Sequence, residues 1–398
     1  MFRKSFSPRR PQQSRFRGGS SGGRRPPMGA PIHHDRYINR AENGEATIVE
    51  EHPITHQFND FAIADTIKSA IAARGYTTPT PIQDQVIEHV LQGRDVVGVA
   101  NTGTGKTAAF LIPLIHKVLQ DKKQKVLIMA PTRELAAQIH EELRLFTKGM
   151  PILSVLIIGG ANMSNQLWAL RQQPNFLIST PGRLKDFANR RSVHLAEFTT
   201  VVLDEVDRML DIGFIADIRH LLSLLPKNRQ SLFFSATVSP AISSIIASFM
   251  TDPITISVKV KETAKGIDQD VIRFGSKEDK MKKLYELLRM DEYNKVLIFG
   301  RTKWNVERLA HSLSDDGFSV GSIHGNKSQN QRQRVLMDFK KDRLQILVAT
   351  DVASRGLDID DVALVINFDE PASYDDYVHR IGRTGRASKQ GKALTFVM

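Results

Sequence analysis

Short, unbroken apolar runs recur along the chain: DVVGVA (95–100), VLIMA (126–130), FLIST (176–180), VVLDE (201–205) and SLFFSA (231–236). Most are followed by stretches in which apolar residues return at helical spacing, such as TAAFLIPLIHKVL and ELAAQIHEELRLF. A strand that is apolar throughout is covered on both faces, and its alternation with amphipathic helices predicts a parallel sheet between helical layers. The rhythm pauses at ITISVKVKETAKGIDQD (254–270), a polar stretch suited to a linker. It resumes with KVLIFG (295–300), ILVATD (346–351) and ALVINFD (363–369). The pattern predicts two α/β parallel-sheet domains in tandem, 51–258 and 268–398, with a short linker at 259–267. Residues 1–50 have no such period and are rich in Arg, Gly, Ser, Pro and Gln. They bury too little apolar surface to offset the entropy of ordering, and are predicted to form a disordered basic tail.

Nearly every apolar run ends in a polar signature: NTGTGKT, PTREL, STPGR, DEVD, SAT, GRTK and TDVASRGLD. In open parallel sheets, ligands bind beyond the carboxyl ends of the strands. The signatures are therefore expected to share one rim of each sheet.

Charge adds a partner class. The formal net charge is +12, and residues 1–40 hold ten Lys or Arg against one acid, Asp35, which leaves only +3 for the rest. A basic tail points to a polyanion such as nucleic acid, and RFRGG (15–19) resembles an RGG-type RNA-binding element. There is no cysteine, which excludes disulfides, thiolate metal sites and cysteine nucleophiles. No apolar run is long enough to span a membrane, and MFRKSFSPRR lacks the apolar stretch of a secretory signal. The expected location is cytoplasmic, with an organellar transit peptide as the alternative.

ANTGTGKT (100–107) lies between a predicted strand and a predicted helix. Glycines in that setting let backbone N–H groups approach a phosphate, and the helix amino terminus favours an anion. Thr102, Gly103, Thr104 and Gly105 would form the loop. Lys106 would reach the β- and γ-phosphates of ATP, and the Thr107 hydroxyl would ligate Mg²⁺. The sequence departs from G-x-x-x-x-G-K-[ST] at its first position, Ala100. VVLDEVD (201–207) supplies adjacent carboxylates, with Asp204 assigned to the metal and Glu205 to the attacking water.

With these signatures in this order, the chain resembles the DEAD-box RNA helicases from about Phe58 to its last residue, with Asp-Glu-Val-Asp at 204–207. NKSQNQRQR (326–334) is most similar to the bacterial RhlE-like branch. The resemblance implies two RecA-like domains that close on ATP and RNA together. GYTTPTPIQ (75–83) matches the family's adenine-reading segment: Gln83 would bond the base edge, Tyr76 would stack on it, and Phe58 matches the isolated upstream aromatic. Ser235 and Thr237 of SAT would bond Asp207 and link the acids to closure, with His379 nearby. Arg383 and Arg386 of HRIGRTGRA would reach the γ-phosphate, Arg380 would serve structure, and Asp358 would approach the ribose.

The RNA surface is read from residue types suited to backbone recognition: Thr hydroxyls, Arg forks and glycines at strand ends. Candidates before the linker are Pro131, Thr132, Arg133, Gly160 (with Gly159), Thr180 and Arg183. Those after it are Arg301, Thr302, Gln329, Arg332, Thr350, Arg355 and Gly356. Aromatic residues are scarce among them, so a sequence-independent grip without base stacking is expected. An ATPase that separates short duplexes, an ATP-gated RNA clamp and a DNA translocase all fit these motifs. The segment around Gln83 speaks against the last.

Overall fold

The computed structural model describes residues 34–38, 53–101, 103–258, 267–290, 292–351, 359, 362–385 and 391–398. Two parallel sheets organise them. The first contains β1 (Val96–Ala100), β2 (Val126–Met129), β3 (Ser154–Ile157), β4 (Phe176–Ser179), β5 (Thr200–Leu203), β6 (Gln230–Ser235) and β7 (Ile254–Val258), in the order β3-β4-β2-β5-β6-β1-β7. The second contains β8 (Ile267–Arg273), β9 (Val296–Phe299), β10 (Val320–Ile323), β11 (Ile346–Ala349), β12 (Leu364–Asn367) and β13 (Gly391–Val397), in the order β10-β11-β9-β12-β13-β8.

Alternate residues of one strand feed different cores. Val126 and Ile128 of β2 pack into one apolar cluster, and Leu127 and Met129 into another on the opposite face. In the second sheet, Leu297 and Phe299 of β9 face one cluster while Val296 and Ile298 face the other. Every residue of β1, β2, β4, β5, β6, β9, β11 and β12 is buried. These are the runs the hydrophobic pattern picked out.

The stretch 254–270, where the apolar rhythm pauses, holds β7 and the start of β8 on either side of the expected linker, 259–267. Both edge strands mix buried and exposed residues, so they look polar in sequence. Only 259–266 of that stretch falls outside the described residues.

A correction concerns the tail. Most of residues 1–50 lie outside the described residues, but His34–Tyr37 form a 3₁₀ turn docked on the second sheet's unit. Tyr37 is fully buried in the cluster that contains Phe299, Tyr377 and Ile381. Its ring lies 4.8 Å from that of Tyr377, whose hydroxyl donates to Gln269 Oε1 at 2.9 Å. Burial and the nearby Glu370 carboxylate push the Tyr37 phenol up to about 12. His34 Nε2 sits 3.7 Å from Glu370 Oε2 at the rim of this contact. One aromatic anchor disappears when composition is averaged over fifty polar residues, which is why the pattern missed it.

Tyr37→Ala should therefore lower the second unit's stability by about 3–5 kcal/mol, the range for emptying a large aromatic site. Urea unfolding measures this, and wild-type stability in Tyr37→Ala would show that the docked turn contributes nothing.

Candidate nucleotide site and nucleic-acid cleft

The loop after β1 has the geometry of a phosphate cradle. Gly103 and Gly105 have φ of 84° and 91°, which side chains other than glycine rarely adopt. Gly105 is the amino-terminal cap of the helix Lys106–Gln120. The Lys106 ammonium is buried and donates to the Ala100 carbonyl at 2.8 Å, and the Thr104 hydroxyl donates to Asn101 O at 2.9 Å. Ala100 is the last residue of β1 and does not need the glycine of the strict motif. Thr107 follows, half-buried, in the first helical turn, while Thr102 lies outside the described residues.

The acids come from the end of β5. Asp204 is 3% exposed and accepts the Glu205 N–H at 3.0 Å. Burial pushes its carboxyl up to about 7, although the Lys106 ammonium pulls the other way. Glu205 caps the helix Val206–Asp211 in the left-handed region, φ 53°, a strained position for a non-glycine residue. Its Oε2 accepts from Arg208 at 2.6 Å, and both side chains are buried. The sequence reading missed Arg208; its i+3 spacing from Glu205 was the available signal.

Asp207 is gripped by the SAT segment, mainly through backbone. Its Oδ2 accepts from Ala236 N at 2.9 Å and Thr237 N at 3.0 Å, with the Thr237 hydroxyl at 3.4 Å. Ser235 Oγ accepts the Asp207 N–H at 3.4 Å and donates to Thr237 O at 2.7 Å. The hydroxyls are thus the weaker part of the link.

Gln83 is buried and joins two elements. Its Oε1 accepts from Thr80 N at 2.9 Å, and its Nε2 donates to Gly105 O at 3.1 Å. An amide has four hydrogen-bonding positions, so one donor and one acceptor remain for a base edge. Tyr76 donates to Glu142 at 3.2 Å, and Arg74 lies 5.5 Å from its ring centroid. Phe58 is 5% exposed and stacks on Tyr76 at 6.4 Å, so it supports Tyr76 from the core.

In the second unit, Arg380 is 2% exposed and fully engaged. It makes a fork to Asp351 at 2.6 and 2.8 Å and donates to Asn367 Oδ1 and Asp369 O. This ties the carboxyl ends of β11 and β12 together. His379 is half-buried on the helix Tyr374–Ile381, and Arg383 is buried just beyond it. Arg355, Gly356, Asp358 and Arg386 lie outside the described residues.

Some of the RNA candidates meet at a cleft of about 520 Å³: Pro131, Thr132, Arg133, Thr180 and Arg183 of the first unit line it with Arg332 of the second, whereas Gly160, Arg301, Thr302, Gln329 and Thr350 are not part of its lining. Gly159 and Gly160 pack under the Arg133 guanidinium; a Cβ on Gly160 would lie 2.6 Å from its Nη1. Thr132 and Thr302 accept a cap bond from Leu135 N and Asn305 N, which leaves each hydroxyl proton for another acceptor. Arg183 carries a buried Nη1 with no hydrogen-bond partner, a donor suited to an anion. Thr350 is buried at the end of β11, and Arg301 is exposed. Gln329 and Arg332 instead meet Glu134 of the first unit, at 3.1 and 3.0 Å. Ile212 and Phe214 also line the cleft and were not foreseen, because they belong to no polar signature.

The sequence matches the DEAD/DEAH box helicase family over residues 80–245 and the helicase conserved C-terminal domain over residues 279–388. It is 44% identical over 343 residues to the ATP-dependent RNA helicase CshA of Limosilactobacillus reuteri, covering 86% of this chain and 69% of that protein. The chain spans about two thirds of the length of the curated CshA relatives it matches. The structure is similar to S. cerevisiae Dbp5 bound to RNA and ADP BeF3, with TM-score 0.76, 30% identity and coverage of 86% and 89% of the two chains. For a DEAD box protein from Methanococcus jannaschii the values are 0.50, 38%, 86% and 93%. Family matches on both sheets, together with this identity, place the chain among the DEAD-box ATP-dependent RNA helicases.

Proposed function

We propose that the chain hydrolyses ATP in response to RNA, grips the RNA backbone across both α/β units without reading sequence, and thereby separates short duplexes or remodels RNA–protein complexes. The observation that carries this reading is a cleft lined by strand-end Thr, Arg and Gly residues of the first unit together with Gly325 and Arg332 of the second, with Glu134 bonded across to Gln329 and Arg332. The proposed units are 51–258 and 268–398, with the linker at 259–267. No helix among the described residues is long and apolar enough to cross a membrane, and the proposed location is cytoplasmic. The RhlE-like placement rests on residues 326–334.

In the proposed cycle Lys106 exchanges the Ala100 carbonyl for the ATP phosphates. Glu205, aligned by Arg208, orients the water that attacks the γ-phosphorus, and ADP leaves with the bridging oxygen. Thr107 and the buried Asp204 fit Mg²⁺, because both donors are oxygen and a divalent cation would offset the burial of the carboxylate. When bound, that ion neutralises phosphate charge. Arg383 and Arg386 would approach the γ-phosphate from the second unit, and Asp358 the ribose. An ATP-gated clamp would use the same contacts; duplex unwinding compared with the nucleotide-dependent RNA off-rate separates the two readings.

ATP turnover with no nucleic acid, with single-stranded RNA and with DNA is the direct test, and RNA alone should stimulate strongly. Glu205→Gln should keep ATP and RNA binding while lowering RNA-stimulated turnover by about 10²–10⁴-fold. Turnover within twofold of wild type would remove Glu205 from the chemistry.

Gln83→Ala should relax base selection. The ATP/GTP ratio of kcat/KM should fall by at least about tenfold, since a site built to bond a polar edge loses that discrimination with its partner. An unchanged ratio would move adenine recognition elsewhere.

A further inference from the structure

Trp304 is 74% exposed. Leaving so large an apolar ring in water forgoes the stabilisation its burial would give, and tryptophans are well buried on average. It lies in the first turn of the helix Lys303–Asp315, which buries Val306, Leu309, Ala310 and Leu313. At about 100° per residue, Trp304 points away from that face. Its surroundings are cationic: Arg301 and Lys303 precede it, and the exposed Arg308 lies one turn on along the same face.

The start of this helix is also tied to a loop that lines the cleft. Lys303 Nζ donates to Asn326 Oδ1 at 2.9 Å, and Asn326 follows Gly325, which lines the cleft. That loop is braced to the same helix through Glu307, which contacts His324 Nε2 at 2.8 Å and Lys327 Nζ at 3.3 Å. The Ser322 hydroxyl donates to Glu307 at 2.6 Å. Burial alone would raise the Glu307 carboxyl, but the bonds from Ser322 and His324 and the Lys327 charge hold it at about 2. The chain's other tryptophan, Trp168, is 65% exposed but lies well into the helix Met163–Leu170, away from the strand-end rim.

An open aromatic ring among cations, on a helix start tied to a loop of a candidate backbone-binding cleft, is an arrangement suited to holding single-stranded bases by stacking. We propose that Trp304 stacks on an RNA base at the mouth of the cleft and adds a sequence-tolerant anchor to the backbone grip. The proposal rests on the RNA-binding reading above. It revises the expectation that stacking is absent, which came from counting aromatics inside the signatures; Trp304 directly follows GRTK.

The test uses the full chain carrying Trp168→Phe, so that Trp304 is the sole tryptophan, with a non-hydrolysable ATP analogue present. Oligouridylate should quench its emission, whereas polyphosphate and an abasic ribose-phosphate oligomer of equal length should not. Trp304→Ala should weaken oligouridylate binding roughly five- to hundredfold, the range for one stacked base, with no matching loss for the abasic oligomer. Trp304→Phe should retain most of the affinity. RNA binding with unchanged emission, or equal losses for RNA and the abasic oligomer, would overturn the stacking proposal and leave the RNA grip standing. No binding of RNA at all would overturn both.

Discussion

A parallel strand covered on both faces can keep unpaired polar side chains only at its ends. Everything chemical in this protein follows from that constraint. The Lys106 loop, Asp204 with Glu205, and the SAT segment leave the carboxyl ends of β1, β5 and β6, which are neighbours in the sheet order β5-β6-β1. Adjacency in the sheet lets Asp207 reach Ala236 and Thr237 across a strand boundary, although they lie some thirty residues away in sequence. The RNA candidates at the ends of β2 and β4 belong to the same rim, so the candidate nucleotide and nucleic-acid residues share one rigid support.

Between the two units the decisive contact is Glu134 with Gln329 and Arg332. The ion pair is nearly buried, with side chains 5% and 10% exposed. Desolvation offsets much of the attraction in such a pair, while losing one partner is strongly unfavourable. Such a pair therefore adds little net stability to the contact between the units, but is costly to break.

The central strands were legible because burial on both faces writes a continuous apolar run, and their ends carried the signatures. The edge strands were less so: β7 and β10 leave polar or small residues partly open and write no continuous apolar run. Arg208, Glu307 and Tyr37 were missed for a related reason. Each acts through a partner distant in sequence or one helical turn away, and neither composition nor a strand-end signature marks it. The left-handed backbone at Glu205 was equally invisible, since a non-glycine residue carries no sequence mark of that strain. Gln83 shows the opposite case: a motif pointed to a base reader, and the structure adds that the same amide braces the phosphate loop through Gly105.

The central claim is that one closed arrangement serves both ligands, so each must strengthen the other. Affinity for an ATP analogue measured with and without RNA, and affinity for RNA measured with and without that analogue, tests it most directly. The account predicts that both affinities rise by the same factor, at least about tenfold, as linkage requires. Independent binding, with a factor near one in both directions, would contradict a site shared between the units.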